Sequence, residues 1–458
     1  MSTSLSRRQL LRMGALSASS MLLAACQAKV VEKIVKETVV TVPTPVKLEP
    51  VDLRCSLYTF QPLVSWMEQV TKLYSTTHPN VKVKVEVAPW DEWNQKLFSQ
   101  LAAGTAPDYW TGPYLDIAMK GQALELTDYA AKIGWSWDDF WPIYKMEACV
   151  DPATGLQGGN RFFYGPLDVT CFIYCHNVDM FTEAKVDLPT ASWTWDDLRA
   201  AAKSLTLDAA GRSSGSAGFD PDNVRQWGIT GLTSWKLLQP LLRAVDEDYV
   251  DLAKSDKCLI NTPGAKAVLQ FVADLIHVDH SMPSPQIMEG LSSPFINGQI
   301  GIQASGSWNV GPWSRAKFKA ALMDVPLSPK GKRFAAGYTT NGFMGYAKTK
   351  APDVLADLLL YFGGETAQEL IPLIEGGIPA RKSAFKTAED AYEALGGFST
   401  LKDTILPNTA PAGNWGPKAN EIESVWGQET AKLWLGEATV DQVVASLEKR
   451  TNETLAKE

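Results

Sequence analysis

Histidine is scarce in this 458-residue chain, at four, and no CxxC, phosphate-loop or dinucleotide-binding glycine pattern occurs in it. Those gaps remove the usual thiol-redox, nucleotide-cradling and hydride-transfer devices. They also leave little for a histidine-based triad. Gly211-Arg212-Ser213-Ser214-Gly215 fits the spacing of a nucleophile elbow, but it sits in the polar run "DAAGRSSGSAGFDPDN". An elbow needs a strand before it and a helix after it, so this stretch is expected to be a loop. His277 and His280 lie three apart with no cysteine or acidic partner at a standard offset, so no metal and no cofactor is expected. A glycosidase needs only two distant carboxylates and stays open as a class, although no residue pattern argues for one.

Cysteine is also sparse, with six in all. One, Cys26, belongs to an N-terminal signal discussed below. The other five (Cys55, Cys149, Cys171, Cys175, Cys258) are odd in number and scattered, so no disulfide framework is expected. Cys171 and Cys175 share one face of an apolar strand, too far apart to bridge each other, and read as core thiols; pairing among the rest stays open. Positive charge is short as well: the formal net charge is −8, and it becomes −11 once residues 1–25 are removed, because that segment carries Arg7, Arg8 and Arg12 and no acid. This balance argues against a nucleic-acid partner and against an electrostatic grip on anionic lipid.

Long apolar runs are limited to one. Met13–Ala25 follows the twin arginine Arg7-Arg8, is too short to span ~30 Å of hydrocarbon, and ends in small residues, so residues 1–25 read as a signal peptide. "LAAC" at 23–26 resembles a lipobox, which would make Cys26 a lipidated mature N-terminus. The paired arginines resemble a Tat signal, with Sec export the alternative. Residues 26–50 then form a tether: brief helical spacing gives way to Thr-Val-Pro-Thr-Pro, which forces an extended chain able to reach at most ~80 Å.

From Val51 onward short apolar strands alternate with amphipathic helices: "VDLRCSLYTF", Pro62 to His78, "VKVKVEV", Asp91 to Ala103, "PDYWTGPY". That rhythm predicts an α/β fold with open sheets flanked by helices, which bind ligands at the carboxyl ends of their strands. More than 400 residues exceed one such sheet, so two lobes with a cleft between them are expected. The stretches "WSWDDF" (135–140) and "WTWDDL" (193–198) read as helix starts capped by Ser136 and Thr194, their paired aspartates serving the helix dipole rather than catalysis.

"PFINGQIGIQASGSWNV" (294–310) poses the sharpest question. Ile300, Ile302 and Ala304 alternate toward a core along a strand, so Trp308 on the following turn is either a plug for that core or a flat surface facing a cleft. Sixteen tryptophans, several in loops, favour the second reading.

Taken in order, "HPNVKVKVEV", "LAAGTAPDYW", "FIYCHNVDMFTEAKVDLPTASWTWDDLRAAAKSLT", "NTPGAKAVLQFVADLI", "PFINGQIGIQASGSWNV" and "GGIPARKSA" resemble the family 1 extracellular solute-binding proteins, the maltose-binding-protein-like group of ABC importers. The resemblance covers most of residues 51–450. It implies a type II periplasmic-binding-protein-like fold with lobe 1 at 51–167 plus about 338–380 and lobe 2 at 168–337 plus about 381–458. It further implies a non-enzymatic, monomeric, lipid-anchored receptor at the outer face of the cell membrane. Such a receptor passes a carbohydrate to ABC permease subunits and touches the membrane only through its anchor. Another polar solute, such as a glycerol phosphoester, is the alternative ligand. By the same resemblance Trp308 stacks on a sugar ring, Asp168 stands at the crossover between lobes, and Tyr58 and Gln61 face the cleft mouth. Trp110 and Asp116 occupy a contact loop, Trp235 and Trp415 line the second lobe, Tyr338 and Asn341 point into the cleft, and Arg381 reaches it.

Overall fold

The computed structural model describes residues 49–457, apart from 113–114, 152, 252–253, 255, 376, 397–400, 403–405, 407–408 and 412–417. Cys26, the twin arginine and Trp415 lie outside the described residues. Side chains of residues 335–340, Tyr338 among them, are also outside the description.

Two compact units divide the chain. The small one takes residues 49–52 together with Thr71–Lys82. Within it the Val51 amide donates to the Asn80 carbonyl (2.9 Å) and the Asn80 side-chain amide to the Glu49 carbonyl (2.8 Å). The large unit holds Leu53–Val70 and Val83–Glu458.

Thirteen strands are present among the described residues: β1 (Val51–Tyr58), β2 (Val81–Ala88), β3 (Tyr109–Thr111), β4 (Cys149–Val150), β5 (Arg161–Phe162), β6 (Tyr164–Asn177), β7 (Leu207–Asp208), β8 (Val224–Thr230), β9 (Ile300–Gly306), β10 (Ala320–Met323), β11 (Ala335–Gly345), β12 (Ile378–Pro379) and β13 (Thr409–Pro411). Eleven form one mixed sheet in the order β2-β1-β3-β11-β6-β9-β8-β7, with β10 and β12 on β6 and β13 on β11. The strand β6 organises it. Its first half pairs antiparallel with β11 (Tyr164 opposite Met344, Asp168 opposite Asn341), and its second half pairs with β9 and β10 (Phe172 opposite Gly306, Tyr174 opposite Met323). All 14 residues of β6 are buried, which explains a mostly apolar run without alternation, broken by the buried polar residues Asp168, Thr170, His176 and Asn177. Where β11 passes Asp168 the register shifts twice, between Tyr338 and Thr340 and between Asn341 and Gly342. Such bulges redirect side chains.

Helices flank both strand groups. Trp66, Tyr109, Phe343 and Phe362 pack ring on ring beside β3 and β11. A larger apolar cluster joins helices Trp195–Leu205, Trp235–Ala244, Pro263–His277, Ala419–Trp434 and Val440–Leu455 to the β8–β9 side. Thr194 caps its helix as the sequence predicts, in a reciprocal capping box with Asp197. The twin stretch "WSWDDF" does not start a helix. Ser136 accepts only from the Asp138 amide in a turn, and the next helix begins at Pro142. Asp139 turns away to hold Arg381 and Ser383, and that tertiary use overrides the local capping signal. The Gly211–Gly215 stretch is a loop, organised by Asp208, which receives the Arg212 amide at 2.8 Å. The five cysteines Cys55, Cys149, Cys171, Cys175 and Cys258 are free and buried. Desolvation pushes the Cys149 and Cys258 thiols up to about 11, so they are neutral at physiological pH. Among the described residues no helix is long and apolar enough to cross a membrane.

Candidate ligand-binding site

A cavity of about 950 Å³ opens at the carboxyl ends of β1 and β3, where β6 and β11 cross. It falls within the ~300–1,000 Å³ typical of small-molecule sites. Its wall brings together four of the residues singled out by sequence: Tyr58, Asp168, Trp308 and Asn341.

Trp308 follows β9 on a single helical turn, Ser307–Asn309. The core on this side is already filled by Trp313, which is buried and donates its indole N–H to Gln303 Oε1 at 2.7 Å. Trp308 itself stays 37% exposed, its ring edge-on to Phe172 (5.7 Å). Its indole lies over Gly306, where a Cβ would come within 2.1 Å of the ring. The glycine is therefore required by close approach. The turn is clipped by the Asn309 side-chain amide donating to Ser305 Oγ at 2.6 Å.

Tyr58, at the end of β1, stands edge-on to Trp90 (5.0 Å) and Trp93 (5.7 Å). Trp90 opens the helix Trp90–Ala103, is 53% exposed and lines the cavity with Asn94 and Phe98.

Asp168 is buried in β6 and accepts from the Asn341 side-chain amide at 2.7 Å. Burial raises its pKa to about 7, against the lowering effect of Asn341 and of its own backbone N–H. The strand segment that presents it is fixed from two sides. The Tyr144 hydroxyl accepts from the Leu167 amide (2.9 Å) and donates to the Asn341 carbonyl. Gln368, fully buried, donates to the Leu167 carbonyl (2.7 Å) and accepts from the Ala380 amide (2.6 Å).

The remaining sequence candidates lie elsewhere. Trp235 stands behind the wall and fixes a wall residue, donating its indole N–H to Glu423 Oε1 at 2.6 Å, with Lys236 Nζ 5.7 Å from its ring. Trp110 is wholly buried in β3, between β1 and β11. Gln61 is exposed at a helix start and donates to Ser65 Oγ at 3.4 Å. Asp116 pairs with Lys120 at 3.2 Å, one helical turn on. Arg381 donates to the Gly363 carbonyl (2.6 Å) and to Asp139 (3.1 Å), with its guanidinium 4.7 Å from the Phe140 ring. None of these five lines the cavity. Tyr338 lies on β11 opposite Thr170. Sequence reasoning missed Trp90, Lys236, Glu375 and Glu423. Of these Trp90 carried a usable signal, an aromatic directly after a strand, at the carboxyl end where α/β sheets bind ligands.

The family model for bacterial extracellular solute-binding proteins matches residues 60–369. An uncharacterized ABC transporter extracellular-binding protein of Pyrococcus horikoshii is 22% identical over 355 residues, 75% of each chain. In structure the chain is similar to an ABC substrate-binding protein of Listeria monocytogenes solved with cycloalternan. That TM-score is 0.76 at 19% identity, covering 90% of this chain and 100% of the other. It is also similar to the maltose/maltodextrin-binding domain of Bdellovibrio bacteriovorus bound to maltotriose, with a TM-score of 0.70 at 15% identity, covering 89% and 100%. These likenesses establish a mixed α/β fold of the two-lobed binding-protein kind.

Proposed function

Starting from the membership of this chain in the bacterial extracellular solute-binding protein family, we propose that it is the carbohydrate receptor of an ABC importer. The observation that carries the reading is the cavity wall: exposed indole at Trp308 and Trp90, with amide and carboxylate groups around them. A pyranose has an apolar C–H face that suits a rigid indole, and a ring of hydroxyls that must find partners. A polar group left unpaired in a closed site costs ~1–3 kcal/mol. Asn94, Thr111, Asp168, Asn341 and Glu423 supply partners. A phosphoester ligand would want bidentate arginine, and Arg381 is committed to Asp139 and the Gly363 carbonyl. The family and its solved relatives are binding proteins, which favours capture over turnover.

In this reading the lobes are 51–167 plus about 338–380, and 168–337 plus about 381–458, and they close about the β6 and β11 crossings when ligand enters. The chain is monomeric and held outside the cell membrane by lipid on Cys26. Incubation with a labelled glycan panel tests the function. A receptor returns one unmodified glycan per chain, whereas cleavage products would indicate a surface glycosidase and no retention would remove the carbohydrate reading. For the anchor, Cys26→Ser should release folded protein from the membrane fraction, and continued retention would refute it.

A further inference from the structure

The charged groups of the cavity are unbalanced. Asp168, Glu375 and Glu423 stand on its wall against a single cation, Lys236. Two of the carboxylates are engaged: Glu375 pairs with Arg315 at 2.8 Å, and Glu423 receives the Trp235 indole N–H. Asp168 differs. It is 2% exposed, yet the groups that hold it, the Asn341 amide and its own backbone N–H, are neutral. The segments between 49 and 457 that fall outside the description contain no lysine or arginine. Other titratable groups around Asp168 are the Tyr392 and Tyr144 hydroxyls and Glu375; the cation nearest them, Arg315, lies beside Gly377 and Tyr392 in an adjoining pocket and is spent on Glu375. One carboxyl oxygen takes the Asn341 bond; the other borders Gly377, where an added Cβ would sit 3.1 Å away. Glycine there keeps a side chain off that oxygen, and both residues line the cavity.

A buried carboxyl with no counter-ion is a poor anion until something brings it a positive charge. Resting on the carbohydrate reading, we propose that the preferred ligand is a sugar bearing a basic nitrogen, with Asp168 as the counter-ion of its ammonium group. A neutral hydroxyl donates to a carboxylate, but an ammonium both donates and supplies the missing charge. Anionic sugars meet the opposite: two further carboxylates and no arginine on the wall. The raised pKa of Asp168 agrees with this, because an incoming amine and a protonated carboxyl of similar pKa exchange one proton and become an ion pair inside the site.

Titration calorimetry on the full chain, across pH 5 to 9, tests it with pairs of oligosaccharides that differ by a basic nitrogen. Suitable pairs are deacetylated chitotriose with cellotriose, where amines replace hydroxyls, and deacetylated chitotriose with chitotriose, where amines replace acetamides. The amine member of at least one pair should bind about tenfold more tightly near pH 7, the difference between a charged and a neutral hydrogen bond. That advantage should fall on the acid side as Asp168 takes a proton, and on the alkaline side as the amine loses its own. Asp168→Asn should remove the advantage and flatten the pH profile. Gly377→Ala leaves the charge in place, and its methyl would press on Asp168 Oδ2, the Ile374 carbonyl and Ile371; with thermal melts showing it folded, it should weaken the amine members more than the neutral ones. Neutral members binding as tightly as their partners at pH 7 would overturn the amine proposal and leave the carbohydrate reading standing. Failure of every saccharide to bind would overturn both.

Discussion

Truncating Trp308 to alanine separates a ligand platform from a core plug. A tryptophan side chain offers ~150–250 Å², so its 37% exposure leaves roughly 60–90 Å² of indole facing the cavity. Covering that area with a sugar face at ~25 cal/mol/Å² is worth about 1.5–2.3 kcal/mol, or about 10- to 50-fold in Kd. The rest of the ring is already packed, on Phe172 and over Gly306, so Trp308→Ala should also lower stability by ~2–3 kcal/mol, less than the ~3–5 kcal/mol of a fully buried indole. Thermal melts and titration calorimetry on the same preparation resolve the two contributions, and Trp308→Phe should recover part of the affinity. A stability loss at the upper end with unchanged affinity in the folded fraction would refute the platform.

Gly306→Ala would place a methyl inside the indole, so it should move the ring and cost affinity to a similar extent. In the double variant the two losses should not add, because both act on one platform. Asp168 gives a pH signature in stability. Its folded pKa is raised, so the native state holds a proton the unfolded chain has lost, and its contribution is greatest below about pH 4 and disappears as the pH rises through about 7. The melting temperature of Asp168→Asn should therefore gain on that of the parent between pH 5 and pH 8; a constant gap would contradict this. Arg381→Met should lower stability by about 1–3 kcal/mol through loss of Asp139, the Gly363 carbonyl and the Phe140 ring, while ligand affinity measured by calorimetry stays within about twofold.

Much of the sheet was legible because local pattern and tertiary role agree there. Ile300, Ile302 and Ala304 alternate into the core along β9, and Thr194 caps its helix with Asp197. Trp110 shows where pattern fails. A central strand buried on both faces has no alternation to say which side a residue serves, so "PDYW" reads equally well as core or rim. Arg381 and Asp139 lie 242 residues apart, and nothing local to either announces the pairing that keeps Arg381 from the cavity. The strand before Trp308 met its own core needs and left the ring as plug or cavity face; the tryptophan richness and the family resemblance chose the second. That the plug is Trp313, five residues on, became visible from the Gln303 bond.

The place of β11 in the sheet has a consequence for how the chain comes to be folded. It sits between β3 and β6, although it is made long after both; Asp168 must wait for Asn341, 173 residues downstream. Until then β3 and the first half of β6 lack a shared neighbour, and the earlier third of the molecule cannot complete its own sheet. Long-range pairing of this kind slows folding and prolongs the exposure of open strand edges. A nascent or truncated chain ending before residue 335 should thus be a client for chaperones rather than a stable half-receptor.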